Sequence, residues 1–88
     1  MEVITSEQRF WDACPCAGEV ARYVSELLPE GISHRFGRAV VRSAHVSTMF
    51  VCIRVGAEPQ ELWISARPDG QGGWALRHTP LQLLDRAR

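Results

Sequence analysis

The spacing of apolar residues predicts two helices near the start of the chain. Thr5 and Gln8, three residues apart, resemble a capping box, so the first helix is expected to open near Ser6. A second helix is expected over residues 15–28, because proline is tolerated in a first turn and apolar residues follow at the helical period. Those positions are Val20, Val24, Leu27 and Leu28. One helix kinked at Pro15 is the alternative.

A dense run of β-branched residues then predicts two strands, over residues 38–45 and 48–56, with the turn near Val46. The first of them has a helical alternative, because Phe36, Val40, Ser43 and Ser47 also fit the helical spacing. Alternating apolar and polar residues predict two more strands, over residues 61–67 and 74–78. The glycine-rich stretch between them formally matches a dinucleotide-binding pattern, but a strand follows it, which favours a hairpin turn.

The end of the chain predicts a short third helix. Thr79 is placed to cap it, Pro80 fits its first turn, and Leu81, Leu83 and Leu84 would be its apolar side. The complete order predicts a single α+β domain over residues 1–88. It contains an N-terminal helix pair (or one kinked helix), a four-stranded antiparallel meander and a short C-terminal helix. The helices should cover one face of the sheet.

The face that the helices leave open is the predicted binding site. Period-two alternation points Leu62 and Ile64 inward and Trp63 outward. The outward residues expected to contact a partner are Phe50, Arg54, Trp63, Arg67 and Arg77. Tryptophan and arginine are the residue types most enriched at binding hot spots. The alternative is that Trp63 packs beneath a loop or beneath the C-terminal helix.

Charge is unevenly distributed along a chain whose net charge is zero. Residues 1–30 carry a net charge of −4, and residues 31–57 carry +4. A neutral domain argues against a dedicated nucleic-acid binder. Nucleic acid remains an alternative partner for the four arginines of the basic segment, which are Arg35, Arg38, Arg42 and Arg54. These arginines could instead pair with the acidic helices or face solvent.

Cys14 and Cys16, on either side of Pro15, resemble a chemical motif more than any other residues of the sequence do. Zinc sites favour cysteines separated by two to four residues, and thioredoxin-like pairs need two. Neither spacing is present, so no metal and no cofactor is expected, and the cysteines are expected to sit at a bend. A metal or redox protein acting through Cys14 and Cys16 is the third functional alternative.

No catalytic constellation is visible in the sequence. Ser43 and His45 would lie on one side of a strand, but residues 31–57 contain no acid to orient the histidine. No secretory signal and no membrane-length apolar run is present, which predicts a cytoplasmic protein. The expected function is therefore a non-enzymatic domain that binds a larger protein or its own copy. A phage or mobile-element inhibitor of a host complex, of the anti-CRISPR type, would fit this size.

Overall fold

The computed structural model describes residues 2–42, 48–57 and 60–80, which form two helices and five strands. In chain order these are β1 (Glu2–Ile4), α1 (Glu7–Ala13), α2 (Ala17–Leu27), β2 (His34–Val41), β3 (Met49–Val55), β4 (Gln60–Pro68) and β5 (Trp74–His78). The strands lie in the sheet in the order β1-β2-β3-β4-β5, and each is antiparallel to its neighbour. The predicted α+β class with an antiparallel sheet is confirmed.

The predicted number of four strands is wrong, because β1 adds a fifth at the edge of the sheet. Its three residues pair with the end of β2, with Val3 opposite Val40 and Ile4 opposite Ala39. Three residues are too few to show an alternating pattern. Ile4 is nonetheless buried, since the pairing with β2 carries it into the core.

Strand β2 was predicted over residues 38–45 but spans His34–Val41. The helical alternative for this segment is therefore wrong over those eight residues. A register shift between Phe36 and Arg38 makes the strand irregular at Gly37, and this bulge obscures the alternation in the sequence. The turn predicted near Val46 falls in residues 43–47, outside the described part of the chain.

The bulge favours glycine, because a Cβ at Gly37 would crowd Cys52, standing 3.0 Å from its carbonyl oxygen and 3.3 Å from its Sγ. Gly37→Ala is therefore expected to lower the free energy of unfolding by about 1–3 kcal/mol, the usual cost of overpacking. Gly18→Ala is the matched control, because its Cβ would meet nothing within 4 Å and alanine favours a helix. The unfolding midpoints in thermal and denaturant melts should fall for Gly37→Ala and rise for Gly18→Ala. Equal midpoints for the two variants would contradict the proposed crowding.

The two N-terminal helices begin and end close to the predicted positions. Ser6 is the N-cap of α1, and its side chain accepts a hydrogen bond from the Arg9 backbone N–H at 3.3 Å. The capping residue is thus Ser6, and the predicted box of Thr5 with Gln8 is wrong. Cys14 is the C-cap of α1 and Cys16 is the N-cap of α2, so the chain forms two helices and not one kinked helix.

Both helices pack on one face of the sheet. Phe10 of α1 is 3% exposed and stacks on Phe36 of β2 with ring centroids 5.1 Å apart. Val20 and Val24 of α2 are buried in the same cluster. The sheet contributes the inward residues of its middle strands to this core: Met49, Val51, Ile53, Val55, Leu62, Ile64 and Ala66.

A tight hairpin joins β4 to β5, as the glycine-rich turn predicts. Asp69 closes it by accepting hydrogen bonds from the backbone N–H groups of Gln71 at 2.7 Å and Gly73 at 3.0 Å. These two bonds lower the pKa of Asp69 from its ordinary value of 3.8. The hairpin fixes which residues of β5 lie beside those of β4.

The C-terminal helix predicted from Thr79 is not part of the described structure. Thr79 and Pro80 follow β5 in a non-helical conformation, and residues 81–88 lie outside the described residues. Within the described ranges, none of the helices has the length and apolar character needed to cross a membrane.

Candidate functional site

The outer face of the sheet, meaning the side of β2–β5 that points away from the helices, carries all five residues predicted to contact a partner. On β3 and β4 this face alternates with the buried residues of the core, and the strand register extends it to β5. Its residues on these three strands are Phe50, Cys52, Arg54, Glu61, Trp63, Ser65, Arg67, Ala75 and Arg77. No helix of the described structure packs on this side of the sheet.

The strand register brings four of the five predicted residues close together. Phe50 lies opposite Ser65, which lies opposite Arg77, so these three form one row across β3, β4 and β5. Trp63 and Arg67 flank Ser65 along β4. Arg54 stands apart from this group, opposite Glu61 at the other end of the face.

Trp63 is half-buried because Arg38 of β2 covers part of its indole ring. The Cζ atom of Arg38 lies 4.9 Å from the ring centroid, which is a cation–π contact. The same guanidinium donates to Oε2 of Glu61 at 3.3 Å. From the other side, the Thr79 hydroxyl accepts a hydrogen bond from the Trp63 backbone N–H at 3.2 Å, and the Thr79 backbone N–H donates to the Trp63 carbonyl at 3.0 Å. Trp63 is therefore held in place from both sides.

Sequence reasoning assigned Arg38 only to the basic segment and missed its contact with Trp63. The bulge at Gly37 puts Arg38 opposite Cys52, an outer-face position, whereas Phe36 pairs with the inward Ile53. Strict alternation from Phe36 would have placed Arg38 on the core side. A glycine inside a strand is the one signal in the sequence that predicts such a bulge.

Cys52 is fully buried although it belongs to the outer face. It lies opposite Trp63 and Arg38 on the two flanking strands, and Gly37 approaches its backbone closely. Burial, followed by the nearby Glu61 carboxylate, raises the pKa of the Cys52 thiol. A buried thiol with a raised pKa is a poor nucleophile, so Cys52 acts as an apolar support for the residues above it.

Two shallow hollows adjoin each other on the outer face and share Phe50, Ser65 and Arg77. Together they form one continuous surface, the depression. Its lining residues are Thr48, Phe50, Trp63, Ser65, Arg67, Ala75, Arg77, His78 and Thr79. None of these described lining residues carries a carboxylate, and the depression joins two aromatic side chains to two arginines.

Charge is segregated between the two layers of the fold. Strands β2–β5 contain five arginines and a single acid, Glu61, whereas the two helices contain four acids and two arginines. Two ion pairs are formed between described residues, Arg9 with Glu2 and Arg38 with Glu61. Neither joins a helix to the basic strands, so the described residues do not show the pairing of acidic helices with basic strands considered from the sequence.

The four arginines considered for nucleic acid do not form one continuous tract. Arg35 lies opposite Arg54, and Arg38 is paired with Glu61. Arg42 follows the end of β2, where its backbone N–H donates to the Thr48 carbonyl. Positive potential on the outer face therefore comes from different strands and is partly neutralised beside Trp63.

Cys14 and Cys16 are both buried at the junction of the two helices, and neither forms a disulfide. The Cys16 thiol lies 3.7 Å from the sulfur of Met49, and burial raises its pKa to about 11. Burial also raises the pKa of the Cys14 thiol. Across residues 2–42, 48–57 and 60–80, no three histidine, cysteine or acidic side chains come together as metal ligands would.

A second aromatic surface lies on the helix side, where Trp11 is 50% exposed at the mouth of a groove between the helices and β2. Phe10 and Phe36 form its floor. Trp11 thus offers an exposed tryptophan for comparison with Trp63 on the opposite layer.

Comparison of the chain with protein-family models, curated proteins and solved structures gives no match.

Proposed function

We propose that this protein is a non-enzymatic protein-binding domain and that the outer face of its sheet is the contact surface. The observation that carries the proposal is the depression, in which Phe50 and Trp63 lie beside Arg67 and Arg77 on a face that no described helix covers. Aromatic residues and arginine are enriched in interface cores, and shallow surfaces of this composition suit a protein side chain.

The fixed position of Trp63 supports an anchoring role. Its backbone is held by Thr79 and its ring by Arg38, so little conformational freedom is left to lose when a partner binds. Rigid residues of this kind favour affinity because their ordering cost is met during folding. Blocking a host complex, the inhibitor role expected from the size of the chain, would use the same face.

Trp63→Ala is expected to weaken the complex with the partner, or a homodimer, at least tenfold. Loss of a central tryptophan anchor typically costs about 2–4 kcal/mol of binding free energy. The test compares capture of partners from the source cell by the wild-type protein, Trp63→Ala and Trp11→Ala, together with sedimentation of each variant alone. Trp11→Ala removes an exposed tryptophan from the other layer and should leave capture unchanged.

The reverse pattern would contradict the proposal. If Trp11→Ala abolished capture and Trp63→Ala did not, the groove between the helices and β2 would be the contact surface. Circular dichroism of each variant establishes that a lost complex reflects the missing side chain and not an unfolded protein.

Single-stranded nucleic acid is the second candidate partner, favoured by the ratio of five arginines to one acid in β2–β5 with two aromatics on the outer face. Such faces can stack bases on aromatic rings while arginines contact phosphates. Nuclease treatment of the lysate before capture separates this candidate from direct protein binding.

A further inference from the structure

Arg67 and Arg77 form a pair of positively charged side chains on the outer face, with two small residues between them. Arg67 lies opposite Ala75, and Arg77 lies opposite Ser65, so the arginines occupy one diagonal of a four-residue square and small side chains the other. Diagonal neighbours on an antiparallel sheet are about 7–8 Å apart. The space above Ser65 and Ala75 therefore stays open between the two guanidinium groups.

Neither arginine has a counter-charge among the described residues. Both are exposed, and the ion pairs of the described chain belong to Arg9 and Arg38 instead. Glu61, the acid of β4, is engaged by Arg38 at the far end of that strand, and the Asp69 carboxylate, just after β4, accepts the backbone N–H groups of Gln71 and Gly73. An exposed guanidinium pair beside an apolar hollow is a ready site for carboxylates.

Resting on the proposed function, we infer that the partner presents an extended acidic segment to the depression. Two carboxylates separated by one residue would meet Arg67 and Arg77, and an apolar side chain further along would enter the hollow beside Phe50 and Trp63. In an extended chain, residues two apart are spaced by about 6.6 Å, which is close to the roughly 7–8 Å expected between diagonal sheet positions such as those of Arg67 and Arg77.

The surroundings of Trp63 favour a polypeptide over a nucleic acid. Arg38 already occupies part of the indole ring that a base would need for stacking. Glu61 stands on the same face and would repel a phosphate backbone that tracked across it. Arg67 and Arg77 are the outer-face arginines that line the depression, whereas Arg54 stands at the other end of the face, opposite Glu61. Two neighbouring cations at one end of the face match a short acidic segment better than a long polyanion.

The test uses three fluorescent probes on the full chain. The first is a short peptide with two aspartates separated by one residue, a leucine two residues later and threonines elsewhere. The second replaces both aspartates with asparagine, and the third is a single-stranded oligodeoxythymidine. Fluorescence polarisation measures affinity for wild-type protein, Arg67→Ala, Arg77→Ala and Arg22→Ala, and amide chemical-shift changes in nuclear magnetic resonance locate the site. Arg22→Ala removes the same charge from the exposed side of α2.

The acidic peptide is expected to bind at least tenfold more tightly than its asparagine counterpart and to shift the amides of Ser65 and Ala75. Arg67→Ala and Arg77→Ala should each remove most of that preference, whereas Arg22→Ala should keep it. Equal binding of the two peptides, or no binding of either, would overturn the inference. So would tighter binding of the oligonucleotide that depended on Arg67 and Arg77. If capture of the cellular partner still depended on Trp63 in those cases, the proposed function would stand and only the acidic chemistry would fail.

Discussion

Phe10→Ala is expected to be among the most destabilising single substitutions in the chain, lowering the free energy of unfolding by about 3–5 kcal/mol. Phe10 is 3% exposed and stacks on Phe36, and α1 has no other buried residue to hold it on the sheet. Its removal therefore leaves a cavity between α1 and β2. A domain of this size has a total stability of only about 4–13 kcal/mol, so a loss of this size removes a large share of it.

The neighbouring Trp11 provides the control for Phe10. It is a larger aromatic on the same helix, but it is 50% exposed, so Trp11→Ala should cost less than about 1 kcal/mol. Denaturant unfolding followed by circular dichroism compares the two variants directly. A similar loss of stability in both would mean that α1 is held by its general hydrophobicity and not by the stacked ring pair.

Leu62→Ala and Ile64→Ala are expected to lower the free energy of unfolding by about 2–5 kcal/mol each. Both side chains are fully buried on β4, which is paired on both sides: Leu62 lies opposite Ile53, and Ile64 lies opposite both Val51 and His78. Because β4 lies between β3 and β5 in the sheet, the backbone around either site has little room to collapse into the cavity. The surrounding strands cannot relax without breaking their hydrogen-bonded register.

Trp63→Ala, between those two positions, should destabilise the monomer by less than either of them. It removes the contact with Arg38 and half-buried ring area, a cost of about 1–2 kcal/mol, but opens no cavity in the helix-side core. Melts of the three variants measured together check this order. If Trp63→Ala were as damaging as Leu62→Ala, Trp63 would be a structural residue and the outer face would lose its proposed anchor.

The two faces of β4 are expected to have different roles, one in stability and one in binding. Inward substitutions act on folding, and outward ones act on the depression that holds Trp63, Arg67 and Arg77. Arg38 connects the two, because its position depends on the bulge at Gly37 while its guanidinium rests on Trp63. Gly37→Ala should therefore disturb both folding and the outer face.

Local patterns in the sequence were sufficient for β4, β5 and the start of α1. Strict alternation assigns Leu62 and Trp63 to opposite faces because consecutive side chains of a strand point in opposite directions, wherever the strand lies. The polar residues before the first apolar helical run likewise predict a helix start near Ser6, although the capping residue is Ser6 itself and not Thr5. These features depend on residues only a few positions apart, so the sequence alone is enough to predict them.

The remaining features depend on which strands pair, and only the tertiary structure decided them. Strand β1 exists because Glu2–Ile4 finds β2, a partner that no local pattern of three residues identifies. The bulge that brings Arg38 to the outer face, and hence to Trp63, is set by the pairing of β2 with β3. The burial of Cys52 follows from the same pairing, since the neighbouring strands cover an outward position that alternation alone would leave exposed. The direction in which a side chain points is a local property of the backbone. Which residues become the neighbours of that side chain depends on contacts between segments that are distant in the chain.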